Sequence, residues 1–214
     1  MAPELIPSIL LQDEASVRER MASLNGLIDW AQVDILDNTL YTNTTWADPA
    51  IIKTWNTPYK LELHLMVTDP KLHIEAWKEV PAFQRAVWHI ETDIDHHALI
   101  QYTRSLGKEV GLSIAPGTRI EALTPYLNLI DRVLVLGVNP GWSGQAMIPS
   151  TLETVRALTS TTPHPVIAFD GGINDDTIDA LLEAGTEAIC PNSWIFKYPP
   201  IKERLEMIHG KLNK

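Results

Sequence analysis

Short runs of apolar, β-prone residues alternate along this chain with longer stretches of helical character. Strands are predicted at 5–10, 30–36, 60–67, 86–91, 109–115, 132–138, 165–170 and 187–190. A helix-like stretch of roughly 10 to 14 residues follows each strand, which is typical of βαβ units. The pattern therefore predicts about eight units with a parallel sheet.

Apolar residues between the strands recur at the spacing of amphipathic helices. Two stripes expected to face the core are formed by Val17, Met21 and Leu24, and by Leu72, Ala76 and Val80. No Gly/Ser-rich linker and no block of like charges divides the chain. We therefore expect one domain over residues 1–214.

The predicted fold class is α/β, as a single (β/α)8 TIM barrel with few insertions. Such barrels typically take ~250 residues but can be built from ~200, so 214 residues leave little room for long loops. An open doubly wound sheet is the alternative. It is disfavoured because no G-x-G-x-x-G turn follows the first strand, where a dinucleotide-binding fold would carry it.

Side chains alternate between the two faces of a strand, so the apolar residues on the helix side reveal which residues face the barrel interior. Val33 and Ile35 suit the helix side of the second strand. By the same reasoning, the polar residues that face inward from three strands are Gln32, Asp34, His64 and Asp170.

Two inward carboxylates beside an imidazole can carry out specific chemistry. Asp34 and Asp170 end their strands at the C-terminal side, where barrel enzymes place their chemistry. Together with His64 they could bind a divalent cation or act as an acid and base pair. The alternative interpretation is structural. Asp170 would start a turn, Asp34 would form a salt bridge within the barrel, and His64 would be a core histidine with its hydrogen bonds satisfied.

Composition narrows the choice of partners. The chain has 17 Lys and Arg against 27 Asp and Glu, a net charge of -10, which repels nucleic acid and anionic membranes. No apolar run approaches the ~20 residues needed to cross a bilayer. The start 1–6 has no basic segment leading into a long apolar run, and Cys190 is the only cysteine. We therefore expect a cytoplasmic protein whose partner is a small molecule.

An acidic chain can still bind phosphate through backbone N–H groups. Glycine-bearing segments follow the sixth and seventh strands at 139–144 and 170–172, and a third turn at 191–193 follows the eighth. In many barrels the loops at this position bind phosphate. The alternative is that these glycines only permit tight turns.

Five segments carry a resemblance to a known family. They occur in order at 7–10 (PSIL), 33–37 (VDILD), 63–67 (LHLMV), 138–145 (VNPGWSGQ) and 170–174 (DGGIN). Together they resemble the ribulose-phosphate 3-epimerase family, and His89-Ile90-Glu91 is a weaker match. The resemblance implies a (β/α)8 barrel that interconverts ribulose 5-phosphate and xylulose 5-phosphate.

The resemblance also implies roles for individual residues. Asp34 and Asp170 would be the two bases that act on C3 through a metal-stabilised enediolate. Asp34, His64 and Asp170 would bind one divalent cation, which could be zinc, iron, manganese or cobalt. The implied substrate- and phosphate-binding residues are Ser8, His64, Met66, Gly141, Trp142, Ser143, Gly144, Gly171, Gly172, Asn192 and Ser193.

The chain departs from the family pattern at several of these positions. Gln32 stands where the family has its other metal-binding histidine. Its carbonyl oxygen would be a harder and weaker ligand than imidazole. Leu36 and Leu136 replace two methionines, and Asn192 replaces a glycine. Asn38 stands where glycine usually follows Asp37, at the root of a candidate lid over residues 39–46.

Two other functions remain open. One is epimerisation of another ketose phosphate, such as allulose 6-phosphate, and the other is sugar-phosphate binding without catalysis. A decarboxylase is disfavoured because Leu36 occupies the position of the lysine in the Asp-x-Lys motif of related barrels. The sequence permits a homo-oligomer without specifying one.

Overall fold

The computed structural model describes residues 3–213, so Met1, Ala2 and Lys214 of the predicted domain lie outside the described residues. The strands are β1 (Glu4–Leu5), β2 (Ser8–Ile9), β3 (Trp30–Ile35), β4 (Lys60–Leu65), β5 (Phe83–His89), β6 (Glu109–Ile114), β7 (Arg132–Leu136), β8 (Val166–Asp170) and β9 (Ala188–Cys190). The α-helices are α1 (Glu14–Ser23), α2 (Pro49–Ile52), α3 (Pro70–Trp77), α4 (His96–Ser105), α5 (Thr151–Thr159), α6 (Ile178–Glu183), α7 (Ser193–Phe196) and α8 (Ile201–Leu212). Two 3₁₀ turns, Lys53–Trp55 and Ile120–Ala122, complete the connections.

All strand pairs are parallel, and the sheet closes through the first strand. The order is β1-β9-β8-β7-β6-β5-β4-β3-β2. The two ends of that order, β1 and β2, are consecutive halves of the predicted strand 5–10. Pro7, which has no amide hydrogen, lies between them. The result is the predicted (β/α)8 TIM barrel.

The alternation predicted for the strands is confirmed by burial. Val33 and Ile35 pack in the core between the strands and the helices. The barrel interior holds a separate apolar cluster that includes Leu134 and Ala168. Alternate residues of each strand therefore face the barrel interior and the helix layer in turn, as the two-residue period of a strand requires.

The lower part of the barrel interior contains buried charges. Glu62 is fully buried and lies 2.7 Å from Arg85 Nη1 and 3.3 Å from Arg132 Nη1. The two arginines also pair with carboxylates at the rim, Glu109 and Glu4 respectively. This cluster neutralises the only carboxylate that β4 places in the lumen.

One predicted helix face is wrong in two of its three residues, because Leu72 and Ala76 are exposed and only Val80 is buried. In α3, Leu72 is 63% exposed, whereas Ile74 and Trp77 are buried. The larger tryptophan ring determines which side of the helix faces the sheet, because it buries more apolar area than Leu72 or Ala76 could. The stripe of Val17, Met21 and Leu24 is confirmed as buried.

No helix among residues 3–213 combines the length and apolar character needed to span a membrane.

Candidate active site

Three of the predicted polar residues meet at the C-terminal mouth of the barrel. Asp34 and His64 are register partners on β3 and β4, and Asp170 is the last residue of β8. His64 Nδ1 lies 3.0 Å from Asp34 Oδ1 and 3.7 Å from Asp170 Oδ2. The tertiary fold therefore joins side chains that lie far apart in the sequence.

Gln32 completes this group from below. Its Nε2 donates hydrogen bonds of 2.8 Å to Asp34 Oδ1 and 2.7 Å to Asp170 Oδ2. Its Oε1 is buried and has no hydrogen-bond partner among the described residues. The amide thus bridges the two carboxylates with its nitrogen.

The proximity of these groups changes their ionisation. Burial and the charge of Asp34 together raise the pKa of Asp170 to about 7. Burial by itself would lower the pKa of His64, but the hydrogen bond to Asp34 and the charges of both aspartates raise it above its ordinary value. Two carboxylates this close favour a shared positive charge, either a proton or a metal ion.

The residues present fit a divalent cation. One ligand atom from each of Asp34, His64 and Asp170 lies within 4.8 Å of the other two. Two carboxylates and an imidazole suit zinc, iron, manganese or cobalt. Gln32 directs its nitrogen toward the carboxylates, so it would act as a ligand only after its amide turns and presents Oε1, the atom that lacks a partner.

An open cavity lies above these side chains. Every residue in the set predicted to bind substrate or phosphate lines it. That set is Ser8, His64, Met66, Gly141, Trp142, Ser143, Gly144, Gly171, Gly172, Asn192 and Ser193. Gln32 does not line the cavity, because it is fully buried beneath the carboxylates.

Two adjacent glycines let the chain turn at the top of β8. Gly171 and Gly172 have φ of 97° and 70°, in the left-handed region that favours glycine. A Cβ on Gly171 would lie 2.6 Å from a Val138 methyl group, and one on Gly172 would lie 2.5 Å from the Met147 backbone. These glycines are therefore required both by conformation and by space.

Asn192 lies in the loop after β9 with a negative φ. Its φ is -109°, so the substitution for glycine requires no left-handed backbone. Arg20 Nη1 on α1 donates a 3.2 Å hydrogen bond to Asn192 Oδ1, and the Arg20 guanidinium lies 4.3 Å from the Phe196 ring centre. Asn192 Nδ2 remains a buried donor with no partner within residues 3–213.

The candidate lid, residues 39–46, lies against the mouth of the barrel. Asn38, at its root, has a φ of 65°, so asparagine adopts here the conformation for which glycine is usual. Asn43 Nδ2 donates a 2.6 Å hydrogen bond to the Gly141 carbonyl, and Thr45 Oγ1 donates to the Asp34 carbonyl. The segment thus links the top of β3 to the loop after β7.

Three residues next to the site were not predicted as functional. His89 is the last residue of β5, Glu91 lies two residues beyond it, and Tyr41 comes from residues 39–46. His89 Nε2 lies 3.2 Å from His64 Nε2, and its Nδ1 lies 3.0 Å from both Glu91 Oε2 and the Tyr41 hydroxyl. The His-x-Glu pattern at a strand end was the available signal.

The chain is similar to several named enzymes. A rice protein, "Ribulose-phosphate 3-epimerase, cytoplasmic isoform", is 36% identical over 203 residues, covering 91% of this chain and 88% of the relative. A Mycobacterium tuberculosis ribulose-phosphate 3-epimerase is 32% identical over 202 residues, covering 91% and 86%. A Schizosaccharomyces pombe enzyme of the same name is 30% identical over 217 residues, covering 99% and 94%.

Solved structures of lower identity share the fold alone. A 3-hexulose-6-phosphate synthase superposes with a TM-score of 0.69 at 13% identity, covering 97% of this chain and 98% of that one. Orotidine 5'-phosphate decarboxylase from Pyrococcus horikoshii superposes with a TM-score of 0.68 at 14% identity, covering 98% and 99%. Both support the barrel architecture.

The model of the ribulose-phosphate 3 epimerase family matches residues 4–196, a range that contains every residue of the site described above. With this match and relatives at 30–36% identity over most of their length, the chain belongs to the ribulose-phosphate 3-epimerase family and is an enzyme of the isomerase class.

Proposed function

We propose that this enzyme interconverts ribulose 5-phosphate and xylulose 5-phosphate by proton transfer at C3, with Asp34 and Asp170 as the two bases. The observation that carries the proposal is the meeting of these two carboxylates, from β3 and β8, on the floor of one cavity. Inversion needs one group to remove a proton and another to deliver one to the opposite face. Two carboxylates from separated strands supply such a pair.

The proton transfers follow from this arrangement. One aspartate accepts the C3 proton as the substrate becomes an enediolate, and the other donates a proton to the opposite face of C3. In the reverse direction the two aspartates exchange roles. A general acid or base of this kind contributes typically about 10²- to 10⁴-fold to the rate, so loss of either carboxylate should abolish measurable turnover.

Asp34, His64 and Asp170 would hold one divalent cation, zinc, iron, manganese or cobalt. When bound, such a cation would polarise the C2 carbonyl and stabilise the negative charge of the enediolate. His64 would also direct its ring toward the substrate from the cavity wall. The support for this assignment is the set of ligand atoms that lie within 4.8 Å of one another.

The rest of the cavity suits the remainder of a ketose phosphate. Ser8 offers a buried hydroxyl to the sugar, and Met66 contributes apolar wall. The proposed phosphate site is formed by backbone N–H groups and the side chains beside them, at Gly141, Trp142, Ser143, Gly144, Gly171, Gly172, Asn192 and Ser193. Backbone donors suit a chain with a net charge of -10, because they bind an anion without lysine or arginine.

Solvent deuterium exchange tests this function. Ribulose 5-phosphate is incubated in D₂O with the protein and each of the four metals, and deuterium at C3 is followed by NMR. We expect exchange and epimerisation with the wild type, and no epimerisation with Asp34→Asn or Asp170→Asn. Exchange should be lost in the variant that lacks the base facing the C3 proton of ribulose 5-phosphate. The control Asp179→Asn, whose exposed side chain lies on α6, should keep both activities. Circular dichroism checks that each variant is folded.

Three outcomes would contradict the proposal in different ways. Sugar-phosphate binding without exchange under any metal would indicate a binding protein that has lost catalysis. Faster turnover on allulose 6-phosphate than on ribulose 5-phosphate would indicate an epimerase for a longer ketose phosphate. Retained exchange in both Asn variants would overturn the two-base mechanism.

A further inference from the structure

A line of hydrogen-bonding groups leads from His64 away from the cavity. His64 Nε2 lies 3.2 Å from His89 Nε2, and His89 Nδ1 lies 3.0 Å from Glu91 Oε2. Both imidazoles are buried, with exposures of 1% and 0%. Buried polar groups of this kind persist when each donor has an acceptor, so the direction of every hydrogen bond can be worked out.

The donor and acceptor of each hydrogen bond can be assigned starting from Glu91. Its Oε1 accepts a 2.9 Å hydrogen bond from the Ala115 backbone N–H, and its Oε2 faces His89. The hydrogen bonds from His89 and Ala115 lower the pKa of Glu91 to about 2 despite its burial, so the carboxylate only accepts. His89 must therefore carry its hydrogen on Nδ1. The Tyr41 hydroxyl oxygen, 3.0 Å from the same nitrogen, lies beside that shared hydrogen.

The hydrogen bond between the two imidazoles can be assigned in the same way. With its hydrogen on Nδ1, neutral His89 has a lone pair on Nε2, and this lone pair accepts the hydrogen of His64 Nε2. In the metal-free protein His64 Nδ1 carries a second hydrogen, which it donates to Asp34 Oδ1. When that hydrogen leaves, neutral His64 keeps its hydrogen on Nε2 and has its lone pair on Nδ1. That nitrogen is the one within 3.0 Å of Asp34 and 3.7 Å of Asp170.

We propose that His89 and Glu91 are positioning residues that hold His64 in the tautomer whose Nδ1 lone pair faces the two aspartates. The inference rests on the proposed function only in that a cation is the ligand this lone pair would bind. A metal-binding histidine commonly donates its other N–H to a carboxylate or carbonyl, and loss of that acceptor typically weakens metal binding about 10- to 100-fold. Here a second histidine lies between the ligand and the carboxylate.

Three variants separate positioning from packing. His89→Leu removes the acceptor for His64 Nε2–H. His89→Gln can retain an acceptor there through its amide oxygen. Glu91→Gln has one acceptor oxygen for two donors, Ala115 N–H and His89 Nδ1–H, so one of them faces an NH₂ group.

The first measurement is metal affinity by titration of the metal-free proteins with Zn²⁺ and Co²⁺. We expect about 10- to 100-fold weaker binding in His89→Leu and Glu91→Gln. We expect substantial recovery in His89→Gln and no change in Glu153→Gln, an exposed carboxylate on α5. Unfolding midpoints in the presence of a chelator identify any variant that is merely less folded. Equal losses in His89→Gln and His89→Leu would indicate packing and overturn the proposal, as would a wild type that binds neither metal.

The second measurement needs no metal. In ¹⁵N-histidine-labelled, metal-free protein at pH 8, the proposal predicts that His89 carries its hydrogen on Nδ1, as read from the nitrogen shifts. A hydrogen on Nε2 would overturn it. Because neither measurement uses turnover, failure of the positioning role is distinguishable from failure of C3 exchange, which bears on the proposed function alone.

Discussion

The Gln32 side-chain amide on β3 donates a 2.7 Å hydrogen bond to the carboxylate of Asp170 on β8. The same nitrogen lies 2.8 Å from Asp34 Oδ1, so one neutral group contacts both proposed bases. An amide nitrogen does not bind a cation, whereas an imidazole nitrogen does. The residue at position 32 should therefore control how strongly the two carboxylates hold a metal.

We predict that Gln32→His tightens zinc binding by about tenfold or more, because imidazole is a better zinc ligand than an amide oxygen. Affinity is measured by competition with a chromogenic chelator. Gln32→Leu, which offers no ligand atom, is the matched control and should bind no more tightly than the wild type. Unchanged zinc affinity in Gln32→His would mean that residue 32 does not contact the metal.

The ionisation of Asp170 predicts a dependence of stability on pH in the metal-free protein. Its pKa of about 7 in the folded chain lies above the unfolded value of ~3.9, because burial and the Asp34 charge disfavour the anion. Between these values the folded chain binds more protons than the unfolded chain. The free energy of unfolding contributed by this group therefore falls as pH rises from ~4 to 7 and is flat above that range.

Asp170→Asn should remove this contribution. We expect the variant to gain stability relative to the wild type as pH rises, and to be the more stable of the two at pH 8. Urea unfolding at pH 5 and pH 8, in the presence of a chelator, measures the difference. Parallel pH profiles for the two proteins would contradict the assignment of the raised pKa to Asp170.

Arg20 should affect substrate binding without entering the cavity. Its Nη1 donates a 3.2 Å hydrogen bond to Asn192 Oδ1, and Asn192 Nδ2, beside the proposed phosphate site, has no partner among residues 3–213. We predict that Arg20→Leu raises KM for ribulose 5-phosphate about fivefold, equivalent to one hydrogen bond of about 1 kcal/mol, with kcat little changed. Steady-state kinetics measure both constants.

Arg18→Leu is the control for this prediction, because Arg18 lies on the same helix and contacts Trp55 rather than Asn192. A fall in kcat with unchanged KM in Arg20→Leu would show that the arginine supports the site in another way.

The buried Glu62 should be important for stability rather than for chemistry. Glu62→Ala leaves Arg85 and Arg132 without their shared partner inside the barrel. Breaking a buried ion pair by removing one member typically costs about 3–5 kcal/mol. Urea unfolding should record a loss of this size, whereas Glu109→Ala, at the half-exposed rim, should lose less than about 1 kcal/mol. Equal losses would mean that the buried position has no special role.

Much of the barrel and its central carboxylates could be predicted from local patterns. Side chains alternate with a period of two, so the apolar Val33 and Ile35 were sufficient to orient Asp34 toward the interior. The positions of the strands could also be predicted, because a short βα unit offers few segments that could form its strand. The phase of α3 could not be predicted in this way, because the spacing of its apolar residues allowed two faces and contact with the sheet selected Ile74 and Trp77.

The sequence by itself determined the order of strands and helices and the inward phase of Asp34, His64 and Asp170. Only the tertiary structure decided that Gln32 bridges two carboxylates and that His89 and Glu91 lie behind His64. Periodicity is a local property that each segment carries alone. The direction of a hydrogen bond depends on which groups distant segments bring within about 3 Å of each other, and that depends on how the barrel closes.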